Sequence, residues 1–257
     1  MPFEGKSERR ESVSALVQAR AETTPIHNQT VLIAIGDVHG EVWKLRKLLQ
    51  MIHELPIEAD DRLVFLGDYV DRGPEVSLTI DLLIKIQQER PNTIFLRGNH
   101  DQAMMDVRQM LDPRGTEDIN FEDVSWWFSY GGQQTMSAYG GRSRWYQRVP
   151  GEHWTFLEGT QIEYREGGYI FVHAGLLPPG KRWFDTVDYR MWIREDFLDS
   201  DADFGGVVVF GHTPSRNGLP RVEHNKIGID TGAAYGGHLT AALLTPDQPE
   251  KVRFLHA

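Results

Sequence analysis

Six side chains able to hold metal ions stand at the ends of five short apolar runs: Asp37, His39, Asp68, Asn99, His173 and His212. Each run reads as a buried strand and gives way to a polar turn that carries glycine. Carboxylate, amide and imidazole ligands without sulfur suit manganese, iron or zinc, and the mixture is typical of hydrolytic centres. One Asp-x-His, or one strand-end histidine, is weak evidence. A capping aspartate or a core histidine bonded to backbone explains most such cases. Five such strand ends in one chain are hard to assign to chance. The remaining histidines, His27, His53, His153, His224, His238 and His256, lack that setting and read as surface or structural residues.

The chemistry is densest in Gly67-Asp68-Tyr69-Val70-Asp71-Arg72-Gly73-Pro74. Two carboxylates and a guanidinium leave one strand end together, between glycines that let the backbone turn sharply. Asp68, at the strand tip, has two oxygens to share between two hard cations. Arg72 presents a planar fork of donors that matches phosphate oxygens.

The elements that must position these groups alternate. Val31–Ile35 is a strand, and Val42, Leu45, Leu48, Leu49, Ile52 and Leu55 recur at helical spacing over about 41–55. Leu63–Leu66 is the second strand, followed by a helix over 75–89 with Pro74 at its start. Thr93–Arg97 is the third, ending in the turn Gly98-Asn99-His100-Asp101. Three strand–loop–helix units imply a parallel sheet with right-handed crossovers, and in such sheets chemistry gathers at the carboxyl ends of the strands. Residues 102–159 read as helical and rich in aromatic core residues, broken at Gly131-Gly132 and Gly140-Gly141. The second half reads as antiparallel: a hairpin turning at Glu166-Gly167-Gly168, then strands at 207–210, 226–230, 239–244 and 252–256. The expected architecture is α/β, two mixed β-sheets packed face to face and flanked by helices. Residues 31–257 form one domain, preceded by a polar extension over 1–30.

Composition narrows the partners. The 257 residues carry 37 acidic and 27 basic side chains, a formal net charge of -10, with no basic stripe to grip nucleic acid. No apolar run approaches the roughly 18 residues of a membrane span, and the first thirty residues lack the apolar stretch of a secretory signal. The absence of cysteine removes disulfides, thiolate metal sites and cysteine nucleophiles. Together these favour a cytoplasmic protein and leave the oligomeric state open.

Gly36-Asp37-Val38-His39-Gly40, Gly67 to Gly73, Gly98-Asn99-His100-Asp101, His173-Ala174-Gly175-Leu176 and Gly211-His212-Thr213 resemble, in order, the signature of the calcineurin-like metallophosphoesterases. More narrowly, the chain resembles the bacterial and phage PPP-type serine/threonine protein phosphatases, over roughly residues 31–245. The resemblance implies a two-metal phosphomonoesterase, most simply with manganese, or with iron or zinc. Asp37 and His39 would hold one metal, Asn99, His173 and His212 the other, and Asp68 both. Arg72 and Arg194 would bind the substrate phosphate, with Asn99 and His100 beside it. A metal-bridging hydroxide would attack in line. His100 would be the general acid, oriented by Asp71, and Tyr235 would lie at the rim of the cleft. The substrate would be a phosphorylated protein or a small phosphoester.

Two rivals remain. Asp101 stands where the protein phosphatases usually have glutamate, which favours a symmetrical diadenosine tetraphosphate hydrolase. Asp71, and Thr213 in place of the tryptophan common in those hydrolases, argue against it. An inactive phosphoprotein-binding domain would have lost a ligand or the acid, and none is missing.

Overall fold

The computed structural model describes residues 31–56, 61–111, 121–141, 144–246 and 248–257. The extension over 1–30 lies outside them. In chain order the elements are β1 (Leu32–Ile35), α1 (Val42–His53), β2 (Arg62–Phe65), α2 (Val76–Glu89), β3 (Ile94–Phe95), α3 (Asn99–Leu111) and α4 (Phe121–Trp127). A π-turn at Phe128–Gly132 leads into α5 (Gln133–Ala138), α6 (Gly151–Glu158), β4 (Glu163–Glu166) and β5 (Tyr169–Val172). Then come α7 (Glu195–Leu198), β6 (Val207–Phe210), β7 (Arg221–Val222), β8 (Lys226–Gly228), β9 (Thr240–Leu244) and β10 (Arg253–His256).

Two five-stranded sheets result, in the orders β10-β9-β1-β2-β3 and β4-β5-β6-β8-β7. Successive strand residues face opposite ways, and this period of two sorts the core into layers. Ile33, Ile35, Leu63, Phe65 and Phe95 meet the apolar faces of α1, α2, α3 and α6. Leu32, Ala34, Val64, Leu66 and Leu96 meet Tyr169, Phe171, Val207, Val209 and Ile227 of the second sheet. Ile170, Val172, Val208 and Phe210 turn outward beneath Ile193 and Phe197. The layers are helices, sheet, sheet and a thin outer cover that includes α7. The expected pair of mixed sheets flanked by helices is present.

Two expectations are corrected. The second half is not antiparallel throughout: β4–β5 and β7–β8 are, but β5, β6 and β8 run parallel. Residues 173–206 give the chain length to cross over between β5 and β6. The continuous apolar runs of those two strands, buried on both faces, are the mark of parallel pairing. β9 and β10 belong instead to the first sheet, with β9 antiparallel to β1.

Second, Asn99 and His100 open a helix instead of a loop. The first-turn amides need acceptors outside the helix. Asp68 Oδ1 accepts from His100 N at 3.0 Å, and Asp101 Oδ2 accepts from Gly98 N at 2.9 Å, the return bond of a capping box.

Most of the expected aromatic core is present. Trp127 is fully buried and stacks on Trp145 with ring centres 5.2 Å apart. Trp127→Ala should therefore lower unfolding free energy by about 3–5 kcal/mol, read from urea denaturation. A loss below about 1 kcal/mol would show that this aromatic cluster does not hold α4 in place.

Candidate active site

The turns after β1, β2, β3, β5 and β6 interlock at one end of the two sheets. Asp37 accepts from His212 N at 2.9 Å, Asp68 from His100 N, and the Leu66 carbonyl from His173 Nδ1 at 2.9 Å. Of the six described non-glycine residues with positive φ, five are here: His39, Asp68, Asp71, Arg72 and His212, between 44° and 69°. Left-handed backbone costs an L-residue roughly 1–2 kcal/mol. It persists only where the surroundings over-determine it. A Cβ at Gly98 would overlap the Asp68 carboxylate, so glycine is required for the third turn to approach the second.

Backbone carbonyls orient two of the imidazoles, His39 and His173, and turn their Nε2 atoms toward Asp68. His39 Nδ1 donates to the Val70 carbonyl at 2.7 Å, leaving Nε2 to face Asp68 Oδ2 at 3.3 Å. His173 Nδ1 donates to Leu66, so its Nε2 faces Asn99 Oδ1 at 3.0 Å and Asp68 Oδ1 at 3.5 Å. His212 Nδ1 lies 3.0 Å from the same Asn99 oxygen, and its buried Nε2 has no partner. A neutral imidazole has one N–H, yet His173 has an oxygen at each nitrogen. Protons or a cation must lie between these acceptors. Nδ1 donation to a carbonyl is also the usual orienting bond of a metal-binding histidine.

The electrostatics agree. Burial, together with Asp230, raises Asp37 well above the usual carboxylate range. Burial pushes Asp68 the same way, but His173, His100 and His39 prevail and hold it well below that range. Burial opposes the charge of His173, yet Asp68 and Asp37 lift it to about 9. Burial lowers His100 to about 4 and raises Asp71 to about 7. Three buried carboxylates, Asp37, Asp68 and Asp230, thus share one small volume, and cations are what such a donor set fits. His39, Asp68 and His100 form one group whose ligand atoms lie within 4.8 Å of one another, and Asp68, His173 and His212 form a second. Asp37 joins neither group and lies instead against the His212 backbone.

Arg72 crosses the centre. One guanidinium nitrogen contacts His39 Nε2, and the other lies 2.7 Å from His100 Nε2. Guanidinium can only donate, so both imidazole nitrogens accept. His100 Nδ1 faces Asp71 Oδ2 at 2.7 Å. Arg194, just before α7, donates to Thr213 Oγ1 at 3.0 Å. Tyr235 is exposed, with its ring 5.2 Å from the Arg72 guanidinium carbon.

Several neighbours were not singled out in the sequence. Asp230 is one. Asp101, weighed above only as a departure from glutamate, accepts from Gly98 N, Asp68 N and Tyr69 N at 2.8–2.9 Å. Trp126, grouped with the core aromatics, packs 5.6 Å from the His100 ring and 5.0 Å from Trp192. That pair of indoles walls an open groove of about 1020 Å³ that also contacts Trp183, Asp106, Asp185 and Asp188. His153, read as structural, is buried between Tyr139 and Asp81 and bonded to both.

Asp101→Asn replaces one carboxylate oxygen with an N–H donor that would face backbone N–H groups. We expect this change to lower stability by about 1–3 kcal/mol. It should also weaken manganese binding, measured by titration calorimetry. Unchanged stability and affinity would show that the carboxylate does not hold the Asp68 turn.

Comparisons with known proteins identify the family. The calcineurin-like phosphoesterase family model matches residues 30–238. The chain is 27% identical over 223 residues to serine/threonine-protein phosphatase 1 of Salmonella typhimurium, covering 81% of this chain and 89% of that protein. It is also 27% identical over 227 residues to the asymmetrical bis(5'-nucleosyl)-tetraphosphatase PrpE of Anoxybacillus flavithermus, covering 80% and 87%. A crystal structure provisionally described as a diadenosine tetraphosphatase superposes with a TM-score of 0.59 at 20% identity, over 90% of this chain and 95% of that one. At that identity the likeness concerns the fold alone. With the matched span enclosing all five turns, the chain belongs to the calcineurin-like phosphoesterase family and is a hydrolase of phosphoester bonds.

Proposed function

We propose that the chain is a serine/threonine protein phosphatase that removes phosphate with two bound divalent cations. Asp37 and His39 would hold one, Asn99, His173 and His212 the second, and Asp68 both. Manganese is expected, with iron or zinc as alternatives. When bound, such cations neutralise phosphate charge and make hydroxide available near neutral pH.

The observation that carries the reading is the chain from buried Asp71 through buried His100 to half-buried Arg72, with 2.7 Å at each link. An arriving phosphate competes for Arg72, which its fork suits better than a histidine nitrogen. Arg194, released from Thr213, takes a second phosphate oxygen. His100 Nε2 is then free to carry a proton while Nδ1–H stays on Asp71. As the P–O bond to serine breaks, its electron pair goes to the serine oxygen, which takes that proton. Water supplies the oxygen that phosphorus gains. A serine alkoxide is a poor leaving group, so this protonation matters most for protein substrates. The groove beside Trp126 and Trp192 gives room for residues flanking the phosphoserine.

Asp101 and the likeness to a PrpE tetraphosphatase favour a second reading, hydrolysis of dinucleoside tetraphosphates. Its symmetrical form is the rival raised by the sequence. Turnover of a phosphoserine peptide and of diadenosine tetraphosphate, measured side by side with manganese, separates the two. Faster cleavage of the dinucleotide would overturn the phosphatase reading. An enzyme inert toward both, and toward p-nitrophenyl phosphate, would favour a phosphoprotein-binding domain.

His100→Asn should slow phosphoserine cleavage by about 10²–10⁴, slow p-nitrophenyl phosphate far less, and leave metal content unchanged. Equal slowing of both substrates would rule out the proton-donor role. Asp68→Asn should remove activity together with bound metal. Full metal content in that variant would contradict the shared-ligand assignment.

A further inference from the structure

One helical segment outside the signature motifs grips three residues of the Asp68–Arg72 and His100 turns. Gly131 O accepts from Arg72 N at 3.1 Å. Trp126 packs against the His100 ring. Thr135, fully buried on α5, donates from Oγ1 to Asp71 Oδ1 at 2.5 Å and accepts from Asp71 N at 2.9 Å. A Cβ at Gly131, where φ is 114°, would come within 2.7 Å of Arg72 N. The π-turn and its glycine are thus what let α4 and α5 reach the loop from both sides.

We propose that Thr135 is a positioning residue for proton donation by His100. The Asp71 carboxylate has two oxygens, and each must be satisfied once buried. Thr135 occupies Oδ1 and, through Asp71 N, also holds the left-handed backbone, with φ at 69°. Oδ2 is left as the one acceptor for His100 Nδ1–H. That bond fixes the ring plane and so the direction of Nε2 toward the leaving oxygen. Without the hydroxyl, the carboxylate turns about its last torsion and the imidazole turns with it. Both hydrogen bonds of the Thr135 hydroxyl go to Asp71, and Thr135 acts through that residue. The assignment rests on the phosphatase reading above.

The test is a kinetic split with manganese supplied. Thr135→Val keeps the shape and removes the hydroxyl, and Thr135→Ser restores it. Thr135→Val should lower kcat for a phosphoserine peptide by about 10–100-fold, a part of what general acid catalysis provides. KM and metal content should stay put, and p-nitrophenyl phosphate, with its good leaving group, should lose less than threefold. Thr135→Ser should stay within threefold of wild type on both substrates. Adding Thr135→Val to His100→Asn should cost nothing further, because the two changes interrupt one device. Equal loss on both substrates, an undiminished loss in the His100→Asn background, or a Thr135→Ser variant as slow as Thr135→Val would overturn the assignment. Should Thr135→Val fail to fold, the serine variant alone decides: tenfold slowing on the peptide contradicts the proposal. A wild-type enzyme that cleaves diadenosine tetraphosphate but not the peptide removes the phosphatase reading itself, and this assignment with it.

Discussion

Acceptors face acceptors around Asp68, and the rest of the molecule is arranged to tolerate that. His173 Nε2, Asn99 Oδ1, His212 Nδ1 and the Asp68 oxygens converge in a volume nearly closed to water. Buried carboxylates cost several kcal/mol each unless paired. His173, lifted to about 9, and Arg72, which lies across His39 and His100, are the cationic groups set against these carboxylates.

Holding such a cluster open takes a rigid frame. Each of the six candidate side chains follows the end of a strand, Asn99 at the start of α3, and the strands are held between three apolar layers. The strained turns cannot relax because each is bonded to the next. Asp101 holds the Asp68 turn, Asp37 holds His212, and Thr135 holds Asp71. The sheets supply stability, and the turns spend part of it on geometry.

What the sequence made legible follows from that division. Apolar runs ending in ligand types marked Asp37, His39, Asp68, Asn99, His173 and His212 as candidates, and these side chains converge because the strand ends do. The supporting residues were harder. Thr135 and Asp230 are common residue types whose partners lie 64 residues away in one case and across a sheet end in the other, so no local spacing marks them. Trp126 and Trp127 are adjacent on α4, yet one wall of the helix faces His100 and the other faces Trp145. Composition alone could not divide them. The hairpin at Gly167-Gly168 suggested antiparallel order for everything after it. The unbroken burial of β5 and β6 was the better guide.

The direct test is where a cation settles. Crystals soaked in manganese and measured at its absorption edge should show two anomalous peaks. One should touch Asp37, His39 and Asp68, and the other Asp68, Asn99, His173 and His212, with Arg72 displaced from His39. No peak between those side chains, or Arg72 still seated on His39 with manganese elsewhere, would contradict the central claim.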